Sequence, residues 1–274
     1  MDKFLVYGNP IAQSKSPIIH QMFAQQTKQA IHYDKCLSTS AEFEESVNKF
    51  ILAGGKGANV TAPFKEQAMQ MCDQLTERAK AAGAVNTLIF SERTIKGDNT
   101  DGVGLVNDLK NHQVQLTNKT ILLMGAGGAA RGVILPLLAE NPKQIVIVNR
   151  TTEKAEQLAA RFTDQKITAI SYAETAKATF DVVINATSAS LSANLPDLSS
   201  TCITTNTVCY DMVYGAKLSP FLNWCKKHKA RLVIDGLGML VGQAAESFYI
   251  WRNVRPQQTQ VLAKLRSQLQ GADK

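Results

Sequence analysis

The sequence is short of the features that mark membrane, metal-dependent and nucleic-acid-binding proteins. Its longest apolar runs fall well below the roughly 20 residues that a membrane-spanning helix requires. The five cysteines (Cys36, Cys72, Cys202, Cys209, Cys225) are scattered, with neither a metal knuckle nor a redox pair among them, so they read as structural thiols. The four histidines (His20, His32, His112, His228) join no carboxylate cluster of ligand spacing, and no metal is expected. The densest basic group, Lys226, Lys227, His228, Lys229 and Arg231, follows an apolar helical pattern and precedes a strand, as a solvated helix end does. Nucleic-acid binding is therefore not expected. Internal repeats and low-complexity segments are absent as well. No basic-then-apolar leader opens the chain, since Asp2 and Lys3 run straight into a short apolar stretch ending at Gly8-Asn9-Pro10; a cytoplasmic location is the expectation.

What remains is an ordinary globular composition, 45% apolar and 19% charged, over 274 residues. At roughly 150 residues per domain that length suggests two domains. The formal charge of +7 suits anionic ligands, which it would steer inward.

Short apolar runs alternate with helical patterns from the start: Phe4 to Tyr7, about 17–28, Ile31 to Leu37, about 42–53, Ala58 to Val60, and Ala84 to Phe90. This alternation predicts a βαβ-type sheet. A second series begins near 118, with strands predicted at Thr120 to Met124, Gln144 to Val148, Ile167 to Ile170, Asp181 to Asn185, Thr207 to Asp211 and Arg231 to Asp235. Six strands with intervening helices predict a doubly wound half. One helix over 102–113 joins the two series, and two more follow at about 238–253 and 257–270, broken at Pro256. The expected fold is α/β with two domains. The first is an α/β substrate domain, 1–102 plus 236–274, to which the C-terminal helices return; the second, 103–235, is a Rossmann domain.

Gly125-Ala126-Gly127-Gly128-Ala129-Ala130 follows the strand Ile121 to Met124 and precedes an apolar helix, the context a dinucleotide-binding turn requires. Gly125 permits the tight turn, Gly127 lets the backbone approach a pyrophosphate, and Ala130 allows close packing of helix on strand. A purely structural glycine turn is the competing explanation. The next strand ends Asn149-Arg150-Thr151-Thr152, where an NAD enzyme would place an acid on the ribose. Arg150 can instead pair with a 2′-phosphate, and Thr151 and Lys154 can add contacts, which favours NADP(H) over NAD. An Arg merely exposed in a loop is the alternative.

Four polar clusters stand at predicted strand ends: Ser14-Lys15-Ser16-Pro17, Asn59 to Lys65, Asn86-Thr87, and Gly97 to Gly102. Each has a plain structural explanation: Ser16-Pro17 could cap a helix, Asn59 to Pro63 could form a turn, and Asp101 could be an N-cap. Taken together they supply the short donors and acceptors that a polyhydroxylated ring needs. Lys65 and Asp101 could add a titratable pair: as hydride reaches a ketone its oxygen gains negative charge, which a lysine can stabilise and protonate.

These motifs, Ser-Lys-Ser-Pro, Asn-Val-Thr-Ala-Pro-Phe-Lys, Gly-Ala-Val-Asn-Thr at 83–87 and Asp-Asn-Thr-Asp-Gly at 98–102, resemble those of the shikimate dehydrogenase family over essentially the whole chain. The resemblance implies reversible, NADPH-dependent reduction of 3-dehydroshikimate to shikimate, a step of aromatic amino acid (chorismate) biosynthesis. It implies a catalytic pair, Lys65 and Asp101, and shikimate contacts from Ser14, Ser16, Thr61, Lys65, Asn86, Asp101, Tyr214 and Gln243. On the cofactor side it implies Gly125, Ala126, Gly127, Gly128, Ala129, Ala130, Asn149, Arg150, Thr151, Lys154, Asn185, Ala186, Thr187, Ser188, Met212 and Gly236. Glu77 joins that set, although a charge on a helical face beside Arg78 explains it equally. Two departures stand out: Ser190 where the family usually has glycine, and Lys154 where arginine is common. The partner is a small molecule, with neither nucleic acid nor membrane, and the assembly a monomer or homodimer. Two rival readings remain: a quinate/shikimate dehydrogenase of dual cofactor use, and a non-catalytic ligand-sensing protein of the same fold.

Overall fold

The computed structural model describes residues 1–91, 94–162, 166–187, 189, 195 and 197–271. Their contacts divide the chain into two compact units, Met1–Gly104 with Leu240–Lys264, and Leu105–Met239 with Leu265 onward.

The first unit holds strands β1 (Asp2–Gly8), β2 (Ile31–Leu37), β3 (Gly55–Val60), β4 (Gln74–Leu75), β5 (Thr87–Phe90) and β6 (Ile95–Asp98). They form one sheet in the order β2-β1-β3-β5-β6-β4. The β1 pairings with β2 and β3 are parallel, as the βαβ alternation predicts. The β5 pairings with β3 and β6 are antiparallel. A mixed sheet therefore replaces the simple βαβ expectation, because too few residues separate Phe90 from Ile95 for a crossover, and so short a connection can only close a hairpin. Between the strands lie α1 (Ser16–Thr27), α2 (Phe43–Leu52), α3 (Lys65–Gln70) and α4 (Glu77–Ala82). The core under β1 and β3 gathers Tyr7, Phe43, Phe64, Val60 and Leu88, with Phe43 and Phe64 stacked at 4.8 Å.

The helix α5 (Asp101–Asn111) begins in this unit, and α9 (Leu237–Arg252) returns to it from Leu240 onward. Trp251 of α9 donates Nε1–H to the Leu88 carbonyl and packs on Phe4, while Arg252 bonds Asp2 and Gln29. Gly242 permits close approach of α9 to α5, since a Cβ there would lie 3.0 Å from the Gly104 Cα.

The second unit contains β7 (Thr120–Met124), β8 (Gln144–Val148), β9 (Ile167–Ile170), β10 (Val182–Asn185), β11 (Val208–Asp211) and β12 (Leu232–Asp235), all parallel. With α6 (Gly128–Leu138), α7 (Thr152–Ala159) and α8 (Pro220–Lys227) they make the doubly wound sheet β12-β11-β10-β7-β8-β9. The near-continuous apolar runs of its inner strands β7, β8 and β10 follow from burial on both faces. The order reverses between β7 and β10, and a sheet of this kind binds its ligand at the carboxyl ends of the strands flanking that point. The final helix, α10 (Thr259–Gly271), divides its length: Arg266 makes a two-pronged bond to Asp235, 2.6 Å on each side, and the chain from Leu265 belongs to the second unit. The sequence reading had given all of 236–274 to the first unit. Among the described residues no helix is long and apolar enough to cross a membrane.

Candidate active site

In the first unit three of the four polar clusters, those of Lys65, Asn86 and Asp98–Asp101, meet at Asp101. This residue opens α5, and its side chain turns to two partners rather than to the helix start. Asp101 Oδ2 accepts from Lys65 Nζ at 2.5 Å, and Oδ1 accepts from Asn86 Nδ2 at 2.8 Å. Lys65 is delivered by the first turn of α3, immediately after the Thr61–Phe64 turn, where Phe64 N–H bonds the Thr61 carbonyl. The pair is sheltered but wet, with 31% of the Lys65 side chain and 14% of the Asp101 side chain exposed.

Two clamps hold the Asp98–Asp101 segment. Asn99 donates to the Ala84 carbonyl and accepts from the Asp101 N–H. Asp98 receives the Arg78 guanidinium through Nε (2.6 Å) and Nη2 (2.7 Å), together with the Thr76 hydroxyl (2.6 Å). Burial alone would raise the Asp98 carboxyl; the guanidinium and the Thr76 hydroxyl outweigh it and hold the group below the usual carboxylate range.

Asn59 is a strand residue at the end of β3 rather than part of a turn, and it is buried. Its Oδ1 accepts from Tyr33 Oη (2.7 Å) and lies 3.1 Å from His20 Nε2, while Nδ2 faces Asn86 O, Thr87 Oγ1 and Ser247 Oγ. Because Nδ2 donates to the Asn86 carbonyl, the atom facing His20 is the amide oxygen, which can only accept, and His20 Nε2 must carry its proton. Burial pushes the His20 pKa down to about 3, the bond to Asn59 only partly offsetting it. Ser14 and Ser16 bond each other where α1 begins, Ser16 being its first residue and Pro17 its second; Lys15 occupies the cap position and no side chain caps the helix. Thr61 lies against Gly8, where a Cβ would meet its Cγ2 at 2.5 Å. Gln243, half-buried on α9, donates to the Leu240 carbonyl. Glu77 stands on the exposed face of α4, paired with Lys80 at 2.8 Å.

In the second unit the cofactor candidates collect at the carboxyl ends of five neighbouring strands. Gly125, after β7, has φ 111°, a conformation that favours glycine, and a Cβ there would lie 3.2 Å from the Ala186 carbonyl after β10. A Cβ at Gly127 would meet nothing within 4 Å, so the space above the turn is open where the first N–H groups of α6 have no helical partner. Asn185 Oδ1 accepts from the N–H (3.0 Å) and hydroxyl (2.7 Å) of Thr187, while its Nδ2 donates to the buried Asp211 (3.2 Å). Gly236, after β12, cannot be replaced without movement, because a Cβ would sit 2.1 Å from the Met212 carbonyl after β11. After β8, Asn149 Nδ2 donates to the Thr151 carbonyl (2.9 Å), with Arg150, Thr151 and Lys154 exposed around it. Tyr214 also lies in this unit, half-buried, its hydroxyl pKa raised by desolvation. Ser188 and Ser190 lie outside the described residues.

The open cradle over Gly127, the helix start behind it, and Arg150 after β8 with Lys154 in the first turn of α7 fit a phosphorylated dinucleotide, although Glu153 stands beside that lysine. The first unit adds an ammonium held by a carboxylate, an arrangement able to protonate a developing alkoxide. Among the described residues no cluster of three or more His, Cys, Asp or Glu could hold a metal ion.

Comparison with known proteins agrees over nearly the whole length. Residues 6–88 match the shikimate dehydrogenase substrate-binding domain, 108–196 the shikimate/quinate 5-dehydrogenase model, and 236–266 the shikimate 5′-dehydrogenase C-terminal domain. The chain belongs to the shikimate dehydrogenase family. The shikimate dehydrogenase (NADP(+)) of Colwellia psychrerythraea is 57% identical over 268 residues, 98% of each chain. That of Photobacterium profundum is 56% identical over 272 residues, covering 98% of this chain and all of the relative. Among solved structures, an Ael1 enzyme from Pseudomonas putida superposes with a TM-score of 0.93 at 42% identity, over 97% of this chain and 98% of its own. The Thermus thermophilus shikimate 5-dehydrogenase, solved with NADP(H) and shikimate, gives 0.88 at 28% identity, over 97% and 99%.

Sequence reading missed Ser247 and the clamp that Arg78 places on Asp98, a residue it had named in the motif at 98–102 without a role of its own. Ser247 stands four residues after Gln243, one helical turn along the same face, and that spacing was its only signal. Arg78 and Asp98 form an ion pair across twenty positions, for which sequence offers no register.

Proposed function

We propose that this chain is an NADP-dependent shikimate dehydrogenase, reducing 3-dehydroshikimate to shikimate and reversing the reaction with NADP+. The observation that carries the reading is the 2.5 Å contact between Lys65 Nζ and Asp101 Oδ2, made within a member of this family.

NADPH, when bound, supplies the hydride that adds to the ketone carbon. The chain's own residues supply the rest. Lys65 stabilises the negative charge growing on the ketone oxygen and gives it a proton, completing the alcohol. Asp101 holds the ammonium in place, and Asn86 holds Asp101 through its second oxygen. With 31% of its side chain exposed, Lys65 regains the proton from water. Ser14, Ser16, Thr61, Asn86, Tyr214 and Gln243 supply the short polar groups that orient the ring hydroxyls and carboxylate. The turn at 125–130 and the segments at 185–188, 212 and 236 hold the dinucleotide, while Arg150, Thr151 and Lys154 take its 2′-phosphate. Glu77, exposed on α4, completes the cofactor set. A cytoplasmic enzyme acting as monomer or homodimer completes the reading.

The test is a comparison of kcat/KM for shikimate and quinate, each with NADP and NAD. The reading requires shikimate with NADP to lead. Parity with quinate or NAD would favour the dual enzyme, and ligand binding without turnover a sensor.

A further inference from the structure

The site described above leaves a serine unexplained. Ser247 lies on α9 among Ala244, Ala245 and Phe248 and is fully buried. Its Oγ is 3.0 Å from Asn59 Nδ2, 2.8 Å from Thr87 Oγ1 and 3.3 Å from Thr100 Oγ1. Each of these three also reaches Asn86. Asn59 donates to the Asn86 carbonyl (3.1 Å), Thr87 to Asn86 Oδ1 (2.8 Å), and Thr100 Oγ1 accepts from Asn86 Nδ2 (3.0 Å). Ser247 is thus one residue removed from Asn86 by three routes.

The chemistry of donors and acceptors sets a direction around this circuit. The Thr100 backbone N–H can only donate, and it lies 2.9 Å from Asn86 Oδ1; this fixes the amide carbonyl and turns Nδ2 toward Asp101. Since the Thr100 hydroxyl accepts from Nδ2, its own proton can go to Ser247. Asn59 Nδ2 can only donate as well, so Ser247 Oγ receives from two sides and has one proton to give. Two acceptors are within reach of that proton: the Gln243 carbonyl one turn back on α9 at 3.0 Å, whose second lone pair is free of the helical ladder, and the nearer Thr87 Oγ1 at 2.8 Å. Thr87 passes its own proton to Asn86 Oδ1, so the short contact between the two hydroxyls is bridged when Ser247 donates to Thr87.

We propose that Ser247 is a positioning residue for the reduction: through Thr87 and Thr100 it fixes the Asn86 amide, and with it the Asp101 carboxylate that holds Lys65. The inference rests on the functional reading above and adds to it a residue that touches neither substrate nor cofactor.

Three variants test it, each assayed with NADPH and 3-dehydroshikimate, with NADPH affinity measured separately by fluorescence. Ser247→Ala and Thr87→Val remove one hydroxyl each with little change of shape, and Thr87→Ser restores the hydroxyl. Ser247→Ala and Thr87→Val should each lower kcat about tenfold, the scale of one ordinary hydrogen bond, while NADPH affinity and the kcat of Thr87→Ser stay within about twofold of the parent. A purely structural role would lower the melting temperature and leave kcat intact. The proposal is overturned if kcat of folded Ser247→Ala stays within about twofold of the parent, or if Thr87→Ser loses as much as Thr87→Val. Should Ser247→Ala fail to fold, the two Thr87 variants decide by the same criterion. A parent enzyme that does not turn over 3-dehydroshikimate overturns the functional reading, and this inference with it, before any variant is made.

Discussion

Asn86 Nδ2 donates to Asp101 Oδ1 at 2.8 Å, and the other oxygen of the same carboxylate is taken by Lys65. Both acceptor faces of Asp101 therefore serve the site, and its position at the start of α5 leaves the helix cap to other groups. Asp101→Asn should accordingly lower kcat by at least about a hundredfold, the low end for disrupted general acid catalysis, while the melting temperature moves little. A collapse in thermal stability with modest kinetic loss would instead show that the residue is there to start the helix.

Arg150 stands exposed after β8, where an acid would serve the ribose of NAD. Arg150→Ala should weaken NADPH on the order of ten- to hundredfold, the worth of one charge-assisted pair, and leave NADH nearly unaffected. Equal losses for both cofactors, measured by KM or by fluorescence titration, would move the 2′-phosphate elsewhere.

His20 gives the fold a pH dependence of known sign. Its folded pKa of about 3 lies below the ordinary value of 6.5, so between those limits the unfolded chain takes up a proton that the folded protein refuses. Stability should fall as pH drops below 6.5, by about 1.4 kcal/mol per pH unit from this group alone. His112 opposes the trend, because its bond to Asp108 raises its pKa and adds stability that is lost as pH rises. Urea denaturation at pH 7.5 and pH 5 should show a smaller loss for His20→Gln than for the parent by about 2 kcal/mol. Identical slopes would mean that His20 titrates normally.

Gly236→Ala places a methyl 2.1 Å from the Met212 carbonyl, a backbone atom with no side-chain freedom to yield. A loss of roughly 1–3 kcal/mol of stability is expected, the range for overpacking, accompanied by weaker NADPH binding. Unchanged affinity for NADPH would separate this contact from the cofactor site.

The second unit was the more legible in sequence, for a physical reason. A strand buried on both faces must be a continuous apolar run, and β7 and β8 have the bounds that their Ile, Leu and Val runs predict; the part-buried edge strand β9, Ile-Thr-Ala-Ile, also has its predicted bounds. In the first unit β4 is two residues long, and β6 reads Ile-Lys-Gly-Asp, too short and too polar to stand out. Without them the antiparallel turn of the sheet could not be foreseen. The family motifs exposed Lys65, Asn86 and Asp101, because chemistry restricts the residue types at such positions. Ser247 was hidden for the opposite reason: a lone hydroxyl within an apolar helix gives no sign of what it faces until strands distant in sequence are brought beneath it.

The most direct test of the whole account is the turnover of Lys65→Ala with NADPH and 3-dehydroshikimate. If Lys65 is the proton source, kcat falls by at least about a hundredfold while NADPH binds as tightly as before. A variant that turns over at the parent rate would remove Lys65, and the carboxylate beside it, from the chemistry.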